Sequence, residues 1–110
     1  MHTVVETPTY IAAAKGLFSE EERAQIVTML AVDPECGDVV AGTGGFRKVR
    51  FARQGKGKSG GARVIYIYRN ERFPVFLITV FAKNKKADLS KAERNALAKR
   101  SDQVFKAYAK

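Results

Sequence analysis

FRKVRFARQGKGKSGGARVIYIYRNERFPVFLITVFAK, residues 46–83, contains the segments that decide the fold. Its first eight residues alternate with a period near two. Arg47, Val49 and Phe51 fall on one face, Phe46, Lys48 and Arg50 on the other. Residues 62–69 (ARVIYIYR) are β-branched and aromatic throughout, which is the composition of a strand. After a turn at 70–72, the apolar run 74–83 (PVFLITVFAK) reads as a central strand covered on both faces. Three consecutive strands with short links predict an antiparallel meander.

Helices are expected on either side of this segment in the sequence. Thr3–Glu6 (TVVE) is a short candidate strand. Thr7-Pro8 then supplies an N-cap and first helical residue for a helix through Lys15, stopped by Gly16. Ser19 and Glu22 form a capping-box pattern, and three carboxylates in that first turn complement the helix dipole. Ile26, Val27 and Leu30 mark the buried face of this second helix, and Asp33-Pro34 ends it. The glycine-rich stretch 34–45 reads as loop. Ser90 and Glu93 repeat the capping-box pattern, and Leu89, Ala92, Ala96, Leu97, Val104, Phe105 and Tyr108 continue at helical spacing. The expected fold is therefore α+β with the order β-α-α-β-β-β-α. It is one sheet layer backed by helices on its apolar side, in one domain over residues 1–110.

Charge is divided unevenly along the chain. Residues 1–38 hold seven acids and two bases, whereas residues 39–110 hold eighteen bases and four acids (Glu71, Asp88, Glu93 and Asp102). No acid occurs between Val39 and Asn70, where eight bases fall. Unrelieved self-repulsion of that density points to a polyanionic partner, nucleic acid ahead of a membrane surface. A membrane surface would call for a basic amphipathic helix, and here the bases fall on strands and a loop. A single cysteine, Cys36, excludes an internal disulfide and a cysteine-built metal site. The longest apolar run, 73–82, is about half the length a membrane-spanning helix needs. With no basic, apolar leader at MHTVVETP, the expected location is cytoplasmic.

Gly57-Lys58-Ser59 imitates the end of a nucleotide-binding phosphate loop. Such a loop requires a glycine where Ala52 stands, and a helix where Gly60-Gly61 and a strand follow. The nucleotide reading fails on both spacing and context. A basic hairpin loop at the rim of a basic sheet still suits a nucleic-acid backbone, because glycines admit close approach and lysines release counterions.

The runs GGFRKVRF (44–51), GKGKSGGARVIY (55–66) and AKNKKADLS (82–90), with the order of elements, resemble the RelE/ParE superfamily of type II toxins. Within it they resemble the HigB-like branch. The resemblance implies a ribosome-dependent endoribonuclease that cuts translated mRNA, and no cofactor is expected. It also implies a cognate antitoxin, expected to be of the helix-turn-helix type, and the charge of residues 39–110 predicts an acidic antitoxin segment that masks the basic face. Matched position by position, the family's active-site bases correspond to Lys48, Arg50, Arg63 and Lys83, with Lys85 or Lys86 beside them. Arg47, Arg53, Lys56, Lys58, Lys85, Lys86, Lys99 and Arg100 are the expected contacts to RNA and ribosome. Two alternatives are a ParE-like inhibitor of DNA gyrase with the same fold, and a nucleic-acid-binding module without activity.

The chemistry agrees with the composition. Guanidinium and ammonium groups stabilise a phosphorane where its charge develops, and a lysine among other cations can exchange a proton. His2 is the sole histidine, so a two-histidine mechanism is excluded, and no acidic cluster suits two metal ions. Some RelE relatives carry a tyrosine shortly after the last strand. Residues 84–90 have none, which leaves Tyr66, Tyr68 and Tyr108 as the tyrosines to consider.

Overall fold

The computed structural model of the chain describes residues 1–52, 61–83, 86 and 88–109. Strand β1 (Val4–Glu6) leads into helices α1 (Pro8–Lys15) and α2 (Glu20–Val32). Strands β2 (Asp38–Val39), β3 (Phe46–Phe51), β4 (Ala62–Ile67) and β5 (Val75–Ala82) follow, and helix α3 (Lys91–Ala109) ends the chain.

The helix starts are set locally. Thr7 Oγ1 accepts the Tyr10 N–H (3.4 Å) and donates to the Leu77 carbonyl (2.6 Å), so one residue both caps α1 and ties it to β5. At α2 the Ser19 N–H donates to Glu22 Oε1 (2.9 Å) while the Glu22 N–H donates to Ser19 Oγ (3.1 Å). Ser90 and Glu93 repeat this exchange at 2.8 and 3.2 Å before α3.

The five strands lie in the order β1-β5-β4-β3-β2. All neighbours are antiparallel except β1, which runs parallel to β5 with Val4 opposite Val75. The sheet is covered on both faces. Tyr10, Ala14 and Phe18, with Ile26 and Leu30 of α2, pack on Val64, Tyr66, Leu77 and Val80. On the other face Leu97 and Phe105 of α3 pack on Phe46, Ile65, Ile67, Phe76 and Ile78. This division differs from a sheet with helices on one side only. Strands β4 and β5 are apolar at successive positions, so neither face tolerates water, and one helical layer is needed on each. The loop-like stretch 34–45 also contains β2, and β1 joins the sheet beyond the meander by pairing with β5. In α3, Ala92 and Ala96 are exposed, and the buried row is Leu97, Ser101 and Phe105.

A register shift in β5 bears on the site. Ile65 is opposite Thr79 while Tyr66 is opposite Leu77, so Ile78 is an additional residue on β5. It lets Phe76, Ile78 and Phe81 all pack toward the α3 side, which strict alternation would forbid. Phe81 thereby stands opposite Arg63 of β4.

The segment linking α2 to β2 is held by a buried hydroxyl. Tyr66 is 0% exposed, accepts the Gly37 N–H (2.8 Å) and donates to the Pro34 carbonyl (2.9 Å). Burial raises its pKa above the ordinary tyrosine value, so the proton stays in place. Tyr66→Phe leaves both backbone groups without this partner. It is expected to cost about 2 kcal/mol in urea unfolding, with the m-value unchanged.

A candidate cationic active site

On β3, Phe46 packs into the α3-side cluster, and period two brings Lys48 and Arg50 to the same face. Arg63 enters that face from β4, where it is the direct register partner of Arg50. Two guanidinium groups thus stand opposite each other in the ladder, with Lys48 two residues along. Like charges directly opposite destabilise a sheet, so this pairing is not a folding device. Arg50 is exposed, and neither Arg50 nor Arg63 has an ion pair among the described residues. Arg63 Nε is buried without a hydrogen-bond partner among them.

Lys83 follows β5 directly, and its N–H donates to the Gly61 carbonyl (2.9 Å) at the same end of the sheet. Lys86 Nζ lies 4.7 Å from the Phe81 ring centroid and is bonded to Glu93. Since Phe81 faces Arg63, this lysine borders the same cluster.

Asp88, in the segment before α3, completes the group. Its Oδ2 accepts from Lys48 Nζ at 2.7 Å and its Oδ1 accepts the Leu89 N–H at 2.8 Å. The Lys48 hydrogen bond, then the Leu89 N–H, hold its carboxyl below the usual carboxylate range, with the charges of Lys48 and Arg63 adding to this. A depressed pKa of this kind stabilises the fold at neutral pH, and the contribution is lost as acid protonates Asp88.

The other described candidates lie apart from this cluster. Arg47 points to the opposite face from Lys48, where its guanidinium donates to the Glu35 and Gly37 carbonyls at 3.2 and 2.8 Å. It clamps the 35–37 segment instead of joining the cluster. Lys99 and Arg100 are exposed on α3, beyond its first two turns. Arg53, Lys56, Lys58 and Lys85, and the 55–60 part of the glycine loop, lie outside the described residues. Tyr66 is committed to its backbone partners. Tyr68 meets His2 edge-on at 5.5 Å, and Tyr108 packs with Phe73 and Phe76 beside the β4–β5 turn, at the far end of the sheet. Asp88 and Phe81 were not singled out from sequence as site residues, and Glu93 was read there only as part of a capping box. Asp88 did carry a signal, as one of only four acids in residues 39–110 and set two residues after the Lys85-Lys86 pair.

Among the described residues, no helix is long and apolar enough to cross a membrane. Nor do three His, Cys, Asp or Glu side chains come together to hold a metal ion among them.

Comparison with solved structures finds the same fold in the free state of an E. coli toxin RelE mutant carrying two arginine-to-alanine changes. That chain is 18% identical, the match covers 90% of this chain and 95% of the other, and the TM-score is 0.54. The family model described as "RelE toxin of RelE / RelB toxin-antitoxin system" matches residues 19–110, from the N-cap of α2 through the whole cationic face to the end of α3. With the family model spanning every strand that carries the cluster, the chain belongs to the RelE family of toxins of toxin–antitoxin systems.

Proposed function

We propose that this protein is a ribosome-dependent endoribonuclease of the HigB-like branch, cutting mRNA through a site built from Lys48, Arg50, Arg63 and Lys83. The observation that carries the reading is the Arg50–Arg63 register pair with Lys48 on the same face. A sheet that keeps like charges opposed at a cost to its stability is suited to a polyanion that relieves the repulsion.

In the reaction the 2′-oxygen of one nucleotide attacks the adjacent phosphorus in line, and the bond from phosphorus to the 5′-oxygen breaks. The products are a 2′,3′-cyclic phosphate and a free 5′-hydroxyl. One proton leaves the 2′-hydroxyl and one arrives on the departing 5′-oxygen, so the step is balanced without a co-reactant. Arg50 and Arg63 stay charged throughout and stabilise the phosphorane oxygens. Lysine alone among these side chains exchanges protons, which gives that work to Lys48 and Lys83. An antitoxin partner is implied by the family. On the charge of residues 39–110 its inhibitory segment is acidic and competes with RNA for this face, in a helix-turn-helix antitoxin.

Primer extension on a translated message tests the reading. Discrete cuts within codons are expected on induction, and none when translation is blocked. An intact message with induction of the DNA-damage response would overturn it in favour of gyrase inhibition. Binding is expected to be salt-sensitive. Four cations neutralising four phosphates of single-stranded RNA give a salt slope of about −2.8, so affinity falls about fiftyfold between roughly 50 and 200 mM salt.

A further inference from the structure

We propose that Asp88 is a positioning residue of this site, holding the Lys48 ammonium in place beside Arg50 and Arg63, which have no ion pair among the described residues; the inference rests on the ribonuclease reading above. Three observations converge on it. The carboxylate is itself anchored, with Oδ1 on the Leu89 N–H at 2.8 Å and Oδ2 on Lys48 Nζ at 2.7 Å. The two residues are 40 positions apart, so the contact ties the segment before α3 to the middle of β3. Asp88 also feels the charge of Arg63 as well as that of Lys48, which sets it within the cationic group.

The physical need is evident from the neighbours. Lys48 carries a flexible four-carbon stem, and Arg50 and Arg63 lie on the same face. Without a counter-charge, repulsion drives the ammonium outward to water and away from the scissile phosphate. The Lys48 side chain is 23% exposed and that of Asp88 45%, so the contact lies at the surface, where the carboxylate holds an ammonium that would otherwise be free to move. Glu93, five residues further on, is bonded to Lys86 in the same manner, although that lysine lies over Phe81. Asp88 does not touch the reacting atoms. It acts through Lys48, at the cost of a negative charge on a surface that binds RNA.

That cost supplies a signature a merely structural residue would lack. Asp88→Asn keeps the side-chain shape and removes the charge. Its kcat on translating ribosomes is expected to fall about ten- to a hundredfold. Its affinity for a single-stranded RNA oligonucleotide is expected to rise about threefold at low salt. Asp88→Glu, which restores the charge, recovers part of kcat. In a Lys48→Ala background Asp88→Asn is expected to change kcat no further, because the residue acts through that lysine. Independently of cleavage, the Lys48 side-chain ammonium is expected to give a slowly exchanging NMR signal that Asp88→Asn abolishes.

A kcat within twofold of the parent overturns the inference, as does a joint loss of kcat and RNA affinity with a lower Tm. An ammonium signal unchanged in Asp88→Asn overturns it even if the parent protein cuts no message. In that last case the missing cleavage overturns the nuclease reading separately.

Discussion

Arg63→Ala is expected to lower message cleavage by about 10²–10³-fold and to abolish growth arrest, while the protein stays folded. The residue sits on β4 opposite Arg50, and its Nε is buried without a partner among the described residues. Its half-buried stem fixes the guanidinium on the face it shares with Arg50 and Lys48. A preorganised donor of this kind adds nothing to the ground state and acts fully when phosphorane charge develops. Truncation also removes a like-charge opposition with Arg50, so Tm is expected to hold or rise slightly. Arg63→Lys restores charge without the planar fork and is expected to recover only part of the rate. Primer extension with a Tm measurement in parallel decides the matter. Growth arrest that survives in a folded Arg63→Ala protein would rule out the cationic-site mechanism.

Gly37→Ala has the largest expected effect on stability. A Cβ at this position would lie 2.8 Å from the Lys48 carbonyl oxygen, 2.8 Å from the Tyr66 hydroxyl and 2.9 Å from Tyr66 Cε1. Real Cβ atoms essentially never approach so closely, and none of the three neighbours is the end of a flexible chain. Tyr66 is fully buried, and the Lys48 oxygen belongs to a strand paired on both sides. Relief would require the 34–37 segment to lift, breaking the Gly37–Tyr66 and Tyr66–Pro34 hydrogen bonds and the Arg47 clamp. The combined overpacking and unpaired groups are expected to cost about 3–5 kcal/mol, a fall in Tm of more than about 12 °C. A Tm within a few degrees of the parent would show that this contact yields more easily than its surroundings suggest. Because the same clash presses on the Lys48 backbone, any folded fraction is also expected to cleave poorly.

Much of this architecture was legible in the chain because the signals are local. Both capping boxes, the helix stop at Asp33-Pro34 and the period-two sorting of Lys48 and Arg50 from Val49 and Phe51 depend on residues within a few positions of each other. The charge division between residues 1–38 and 39–110 likewise needs only counting, and it pointed to a polyanion before any fold was known. The unbroken apolar run of β5 announced a strand covered on both faces.

Tertiary structure decided what depends on contacts between distant segments. Spacing does not reveal that α3 takes one face of the sheet while α1 and α2 take the other, or that β1 enters beside β5. Arg47 and Lys48 are adjacent and equally basic. One closes the 35–37 segment and the other faces Asp88, because a strand sends neighbouring side chains to opposite sides where different partners wait. The extra residue at Ile78 turns Phe81 toward Arg63 through pairing with β4, a register that β5 alone does not specify. Sequence by itself determined which residues are helical, which alternate and where the positive charge lies, since those properties repeat every two to four residues. Which cations converge, and which carboxylate holds one of them, was left to packing, because a pair 40 residues apart meets only once β3 is paired in the sheet and the segment before α3 lies against the same face.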